Sequence, residues 1–174
     1  MYRQFNKFLY EKIYSNFVAA IESKAVLRFG LKIPILSGIF KKKLKEAAGF
    51  GDLKFAISGA APINPDILAL FQKLDIPLFE GYGMTENTAG ATLNYLGHNK
   101  IGSVGKALPD TEIKIANDGE VMIQGDHVMK GYYKNPEATT ETLIDLWLYT
   151  GDIGKLDSDG YLFITGRKKE IYVI

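Results

Sequence analysis

Gly81, Tyr82, Gly83, Met84, Thr85 and Glu86 form the run GYGMTE. The two glycines let a backbone come close to another group, and N–H groups in such loops can face an anion. Tyr82 offers a flat face on which a nucleobase could stack. Thr85 supplies a hydroxyl that can donate to a phosphate oxygen. Glu86 supplies a hard oxygen suited to Mg²⁺, which binds through one or two carboxylates plus substrate phosphates. Base, phosphate and metal partners in one short run point to a nucleotide site, although Gly-Tyr-Gly also occurs in plain turns.

Two later stretches bear on the same question. YTGD (Tyr149–Asp152) places an aspartate at a turn beside a strand. There it either braces the turn or accepts hydrogen bonds from both ribose hydroxyls of a nucleotide. GYLFITGRKKE (Gly160–Glu170) contains Arg167, either an ordinary surface cation or a forked donor to ribose or phosphate. Taken singly, the structural role is the better reading of each. His98 and His127 lie far apart without ligand spacing and read as ordinary loop histidines. Trp147 reads as packing beside Asp152. DSDG (Asp157–Gly160) opens like a calcium loop, but the later glycine and glutamate positions do not match, so a hairpin turn is expected.

Elements must hold these residues. Over residues 1–50, Phe5, Phe8, Leu9, Ile13, Phe17 and Ile21 recur at helical spacing, interrupted by Lys12. Ile33–Phe40 contains Pro34 and Gly38 and reads as a buried turn. A basic helix is expected over Lys41–Ala48, ended near Gly49 and Gly51. Leu53, Phe55 and Ile57 alternate with Lys54 and Ala56, giving a strand that ends in SGAAP (Ser58–Pro62). Asn64 can cap a helix with Pro65 in its first position and Ile67, Leu68, Phe71 and Leu74 on one face. A short strand, Ile76–Phe79, then leads into GYGMTE. Strand, loop, helix, strand, loop is the unit of a parallel α/β sheet, whose ligands sit beyond the strands' carboxyl ends.

Later the pattern becomes antiparallel. Thr111–Ile115, the turn Asn117-Asp118-Gly119 and Glu120–Gln124 predict a hairpin. Asn135–Ile144 reads as a short helix. Tyr149–Leu156 and Tyr161–Thr165 predict a second hairpin around DSDG. The expected division is an α/β part over residues 1–100 and a β-rich subdomain over residues 101–166. The fold class is thus α/β, part of a doubly wound parallel-sheet subdomain followed by a small antiparallel β-rich subdomain. The last residues, GRKKEIYVI, form an apolar strand-like run that would leave a sticky edge, so a continuing chain is expected.

Composition narrows the partners. The chain has 174 residues, 47% of them hydrophobic, which allows a real core. A net charge of +1 gives no footprint for nucleic acid. No cysteine is present, so thiol catalysis and disulfides are excluded. No stretch reaches transmembrane length and no signal peptide is visible at the start. A cytoplasmic location is expected, with peripheral membrane contact left open.

The order GAAP, YGMTE, GEVMIQGDHVMKGYY, YTGD, GYLFITGRKKE resembles the adenylate-forming (AMP-binding) acyl-CoA synthetase superfamily, most closely its long-chain fatty-acid CoA ligases. The resemblance covers nearly all of the chain from residue 41. It implies a ligase in lipid metabolism that uses ATP, Mg²⁺, a fatty acid and CoA, through an acyl-adenylate. A fatty carboxylate would attack the α-phosphate of ATP, and the CoA thiol would then displace AMP. Aryl-CoA ligases and peptide-synthetase adenylation domains are same-class alternatives, and a non-catalytic nucleotide-binding remnant is a different-class one.

Carried over by motif position, Gly59, Ala60, Ala61 and Pro62 would border adenine and the acyl pocket. Glu80, Gly81, Tyr82, Gly83, Met84 and Thr85 would line the nucleotide, with Tyr82 on the base. Thr85 and Glu86 would be the catalytic pair, at the phosphate and the metal. Asp152 and Arg167 would bind ribose, and Ile164 would lie beside the adenosine. Residues 1–100 would be the C-terminal part of the family's α/β subdomain, and residues 167–174 would open a further domain with Lys169 as the hinge. Leu146 stands where the family commonly has glycine. The family's phosphate loop and its C-terminal lysine match nothing in this chain, so the 174 residues alone are expected not to run the reaction.

Overall fold

The computed structural model describes residues 2–31, 33–59 and 61–168, with the side chains of residues 2–7, 27, 28, 34 and 35 outside the description. The predicted hinge residue Lys169 and the site residue Ala60 therefore lie outside the described residues. The chain forms two compact units, Met1–Phe79 and Glu80–Ile174.

The first unit opens with three helices, α1 (Tyr2–Ser23), α2 (Ala25–Gly30) and α3 (Pro34–Ala47). A strand–helix–strand unit follows: β1 (Ala56–Ser58), α4 (Pro65–Lys73) and the start of β2 (Leu78–Tyr82). Helix α4 begins as its sequence predicts, with Asn64 Oδ1 accepting the Asp66 N–H and Pro65 in the first turn. Its face of Ile67, Leu68 and Phe71 is buried. Phe71 is the hub of this core. Tyr10, Phe17 and Phe50 pack edge-on around it, with ring centroids 6.2, 5.9 and 6.0 Å away, the geometry that aromatic quadrupoles favour.

The first unit departs from the sequence reading in four places. Phe8 and Leu9, expected on the inner stripe of α1, are exposed, and Tyr10 points inward in their place. Apolar residues on adjoining faces leave the phase of a helix to its partner, here Phe71. Ile33–Phe40 is not a buried turn. Pro34 occupies the first helical position, where its missing N–H costs nothing, so α3 starts there and leaves Ile33, Leu36 and Ile39 exposed. β1 spans Ala56–Ser58 rather than starting at Leu53, and β2 starts two residues later than Ile76 and runs on through Tyr82. The Ile76 N–H is taken by the Phe71 carbonyl at the end of α4, which delays the strand.

The second unit continues β2, whose Gly81 and Tyr82 pair with Leu93 and Thr92 of β3 (Thr92–Leu93). β3 pairs in turn with β4 (Lys106–Ala107). An antiparallel sheet follows, in the order β5-β6-β8-β7 with β9 beside β8. Its strands are β5 (Glu112–Ile115), β6 (Glu120–Gln124), β7 (Leu143–Ile144), β8 (Trp147–Leu156) and β9 (Leu162–Arg167). Both predicted hairpins, β5–β6 and β8–β9, are present. Ala91, Val121, Ile123, Leu148 and Leu162 form a fully buried core between these strands.

Helix α5 (Pro136–Thr142) is capped by Asn135, whose Oδ1 accepts the Ala138 N–H. It stops two residues short of the expected Ile144, because Leu143 and Ile144 pair with Leu148 and Trp147 as strand β7. Asp145 and Leu146 make the two-residue turn, with φ of 50° and 68°. Positive φ at both central residues is the turn that matches strand twist, and it usually recruits Asn, Asp or Gly.

Candidate functional site

The run Gly81–Glu86 leaves β2 and turns at once. A Cβ on Gly83 would sit 2.4 Å from the Ala89 backbone carbonyl, so the glycine is needed for the loop to close on itself. The close approach that Gly83 permits in this structure is to the backbone of Ala89 and Gly90. Met84 donates its N–H to Asn87 Oδ1, and its carbonyl accepts from the Asn87 and Ala89 N–H groups. That turn holds the 3₁₀ segment Thr85–Asn87 in place and leaves Thr85 exposed. Glu80 is buried, and its carbonyl accepts from Asn94 N–H and Nδ2.

Three of the singled-out residues are bonded to one another. Tyr82 donates its hydroxyl to Asp152 Oδ2 at 2.6 Å, and Arg167 Nε lies 2.7 Å from Asp152 Oδ1. Asp152 is 5% exposed, and both of its oxygens have the polar partners that an enclosed carboxylate needs. Burial first, and then the bond to Asp152, push the Tyr82 hydroxyl well above the ordinary tyrosine range. Tyr82 is therefore a fixed donor, and its ring is clamped at the hydroxyl end.

The strands explain why these groups meet. Asp152 is directly opposite Arg167 in the β8–β9 register. On its other side β8 pairs with β6 through Glu120↔Ile153 and Met122↔Tyr149, so β8 carries two more residues than β6 across that interval. Gly151 sits in this bulge with φ of 73°. Bulges redirect side chains and recur beside functional sites.

A cavity of about 950 Å³ opens next to this group, and Glu86, Glu120, Thr150, Gly151, Arg167 and Lys168 are among its lining residues. Glu86 Oε1 accepts the Tyr132 hydroxyl at 2.9 Å, which fixes the carboxylate and leaves Oε2 for another partner. Glu120 is 4% exposed and accepts the Gly151 N–H at 2.7 Å. Lys168 Nζ lies 2.7 Å from both Glu120 and Asp118. These two carboxylates raise the Lys168 ammonium above its usual range.

Gly59, Ala61 and Pro62 belong to the first unit, just after β1. Ile164 is half-buried on β9 against the second unit's core. Trp147 lies on the same strand as Asp152, and Lys114 Nζ stands over its ring, 4.3 Å from the centroid. DSDG is the β8–β9 turn, with Asp157 Oδ1 accepting from Asp159 and Tyr161 N–H and Lys100 bonded to both aspartates. Asn87, Glu120, Tyr132 and Lys168 were not singled out from the sequence. Glu120 carried one signal, an acidic residue at the first position of a strand whose neighbours Val121 and Ile123 are apolar.

Among the described residues there is no cluster of three or more metal-ligating side chains. No described helix is long and apolar enough to cross a membrane.

The chain is 40% identical over 142 residues to the long-chain-fatty-acid–CoA ligase FadD15 of Mycobacterium bovis, covering 82% of this chain and 24% of that one. Its fold matches the O-succinylbenzoate coenzyme A synthetase of Bacillus subtilis in complex with AMP, at a TM-score of 0.64 and 29% identity, over 76% of this chain and 30% of that one. It also matches a Mycobacterium tuberculosis fatty acyl CoA synthetase at a TM-score of 0.62 and 32% identity, over 79% of this chain and 30% of that one. The chain spans about a quarter of the length of the curated relatives it matches. The AMP-binding enzyme family matches residues 17–133, two thirds of the chain, and the chain belongs to that family.

Proposed function

We propose that these residues carry one side of the ATP and AMP site of a long-chain fatty-acid CoA ligase. The observation that carries the reading is Asp152, a buried carboxylate held by Tyr82 at one oxygen and Arg167 at the other. Each carboxylate oxygen has two lone pairs, so both can still accept a ribose hydroxyl. Tyr82, fixed at its hydroxyl, presents its ring to the adenine. The exposed Thr85 hydroxyl donates to phosphate.

Mg²⁺ binds through one or two carboxylates and otherwise through phosphate and water, so a lone Glu86 with one unbonded oxygen fits that ion. Bound there with ATP, Mg²⁺ would offset charge on the phosphates. In the reaction, a fatty carboxylate oxygen bonds to the α-phosphorus and pyrophosphate leaves. The CoA sulfur then bonds to the acyl carbon, AMP leaves, and the thiol proton is released. This chain's residues orient the nucleotide for both steps. In the division of labour we favour, residues 1–100 and 101–166 form subdomains of one nucleotide-binding domain, and Lys169 is the hinge to the next.

The likeness to O-succinylbenzoate coenzyme A synthetase favours one second reading, an aryl-CoA ligase. The test is pyrophosphate release by the protein completed with the flanking segments its relatives carry, offered long-chain, aryl and amino acids. Long-chain acids should be preferred at least tenfold, and Asp152→Ala should abolish most of the rate. Equal or greater turnover of an aryl acid would transfer the assignment to the second reading.

A further inference from the structure

One buried carboxylate touches both arms of the Asp152–Arg167 pair. Glu120 Oε1 accepts the N–H of Gly151, the residue before Asp152, and Oε2 meets Nζ of Lys168, the residue after Arg167, each at 2.7 Å. The bulge explains the first contact. The extra residues of β8 have no partner on β6, so the Gly151 N–H needs an acceptor outside the ladder, and a side chain provides it. The second contact satisfies the charge that burial would otherwise make costly. Lys168 is also held by Asp118, on the turn that precedes β6.

We propose that Glu120 is a positioning residue of the nucleotide site, tying the bulge that carries Asp152 to the strand end that carries Arg167. The inference rests on reading Asp152 as the ribose acceptor. Only a carboxylate serves here. A glutamine has one acceptor edge and one donor edge, so it can answer Gly151 or Lys168 and must turn its NH₂ toward the other. Glu120→Gln therefore loosens one arm while keeping size and shape.

The test is an NMR titration of the 174-residue chain with AMP and with 2′,3′-dideoxy-AMP, which lacks both ribose hydroxyls. Wild type should bind AMP more tightly than the dideoxy compound. Glu120→Gln should weaken AMP on the order of tenfold, the loss of one charge-assisted hydrogen bond, and leave the dideoxy compound unchanged. Unaltered AMP binding would overturn the proposal, as would an equal loss for both nucleotides, since a general structural defect does not distinguish them. If the amide spectrum of Glu120→Gln collapses, Lys168→Gln decides by the same selective loss or its absence. A wild type that binds both nucleotides equally overturns the ribose reading itself, and does so before any substitution is made.

Discussion

At the residue scale, each unit depends on a side chain enclosed for a different reason. Phe71 is 1% exposed and meets three aromatic rings. Replacing it with alanine removes those contacts and leaves a cavity that a helix and a loop cannot fill. Phe71→Ala should cost about 3–5 kcal/mol, read from urea denaturation. A loss below about 1 kcal/mol would mean the rings simply re-pack. Asp152 and Glu120 are enclosed by polar partners instead, Tyr82 and Arg167 around the first and Gly151 and Lys168 around the second. Side-chain type picked out Tyr82 in the sequence, whereas Asp152 and Arg167 read singly as structural and joined the site only through the order of motifs. Their bonds were not legible there, because they depend on the register of β8 against β9 and on a bulge that no local pattern announces. Glu120 and Tyr132 escaped notice for the same reason: each acts across 31 or 46 positions of chain.

At the scale of elements, two turns of the antiparallel sheet invite measurement. Leu146 holds φ of 68° and is 78% exposed, a conformation and a location that favour glycine. Leu146→Gly should raise stability by about 0.5–1 kcal/mol, the left-handed strain exceeding the extra freedom of an unfolded glycine. Thermal unfolding checks this, and a lowered midpoint would refute it. In the β8–β9 turn, the bond from Lys100, then the Tyr161 and Asp159 N–H groups, hold the Asp157 carboxyl below the ordinary aspartate range. A depressed folded value contributes stability above the unfolded value of about 3.9 and loses it as pH falls through the folded one. The turn should thus be indifferent to pH from 7 to about 4 and loosen below that. Carboxyl NMR should show the Asp157 titration move up toward the ordinary value in Lys100→Ala, the two N–H bonds remaining, and an unmoved titration would refute the part given to Lys100. The helices were legible wherever caps were: Asn64 and Asn135 both cap as their sequence suggests. Where two apolar faces adjoin, as at Phe8–Tyr10, spacing alone could not choose the inner one.

At the scale of the whole molecule, charge and surface act together. The net charge is +1 and the isoelectric point lies near 7.8, so electrostatic repulsion between molecules is weakest in mildly alkaline buffer. The surface carries Phe55, Leu96, Tyr133 and Leu146 well exposed. Self-association should be greatest near pH 8 and fall toward pH 6, as light scattering would show. A scattering signal flat across that range would place the cause elsewhere. The α/β character and both hairpins followed from periodicity and turn residues. The packing of each unit did not, because it is decided by contacts between segments remote in sequence.

Trp147 is the chain's one tryptophan, on the same strand as Asp152 and covered by a lysine ammonium. All indole emission therefore comes from β8. The molecule has a built-in optical reporter on the strand that carries its key carboxylate, readable without any label.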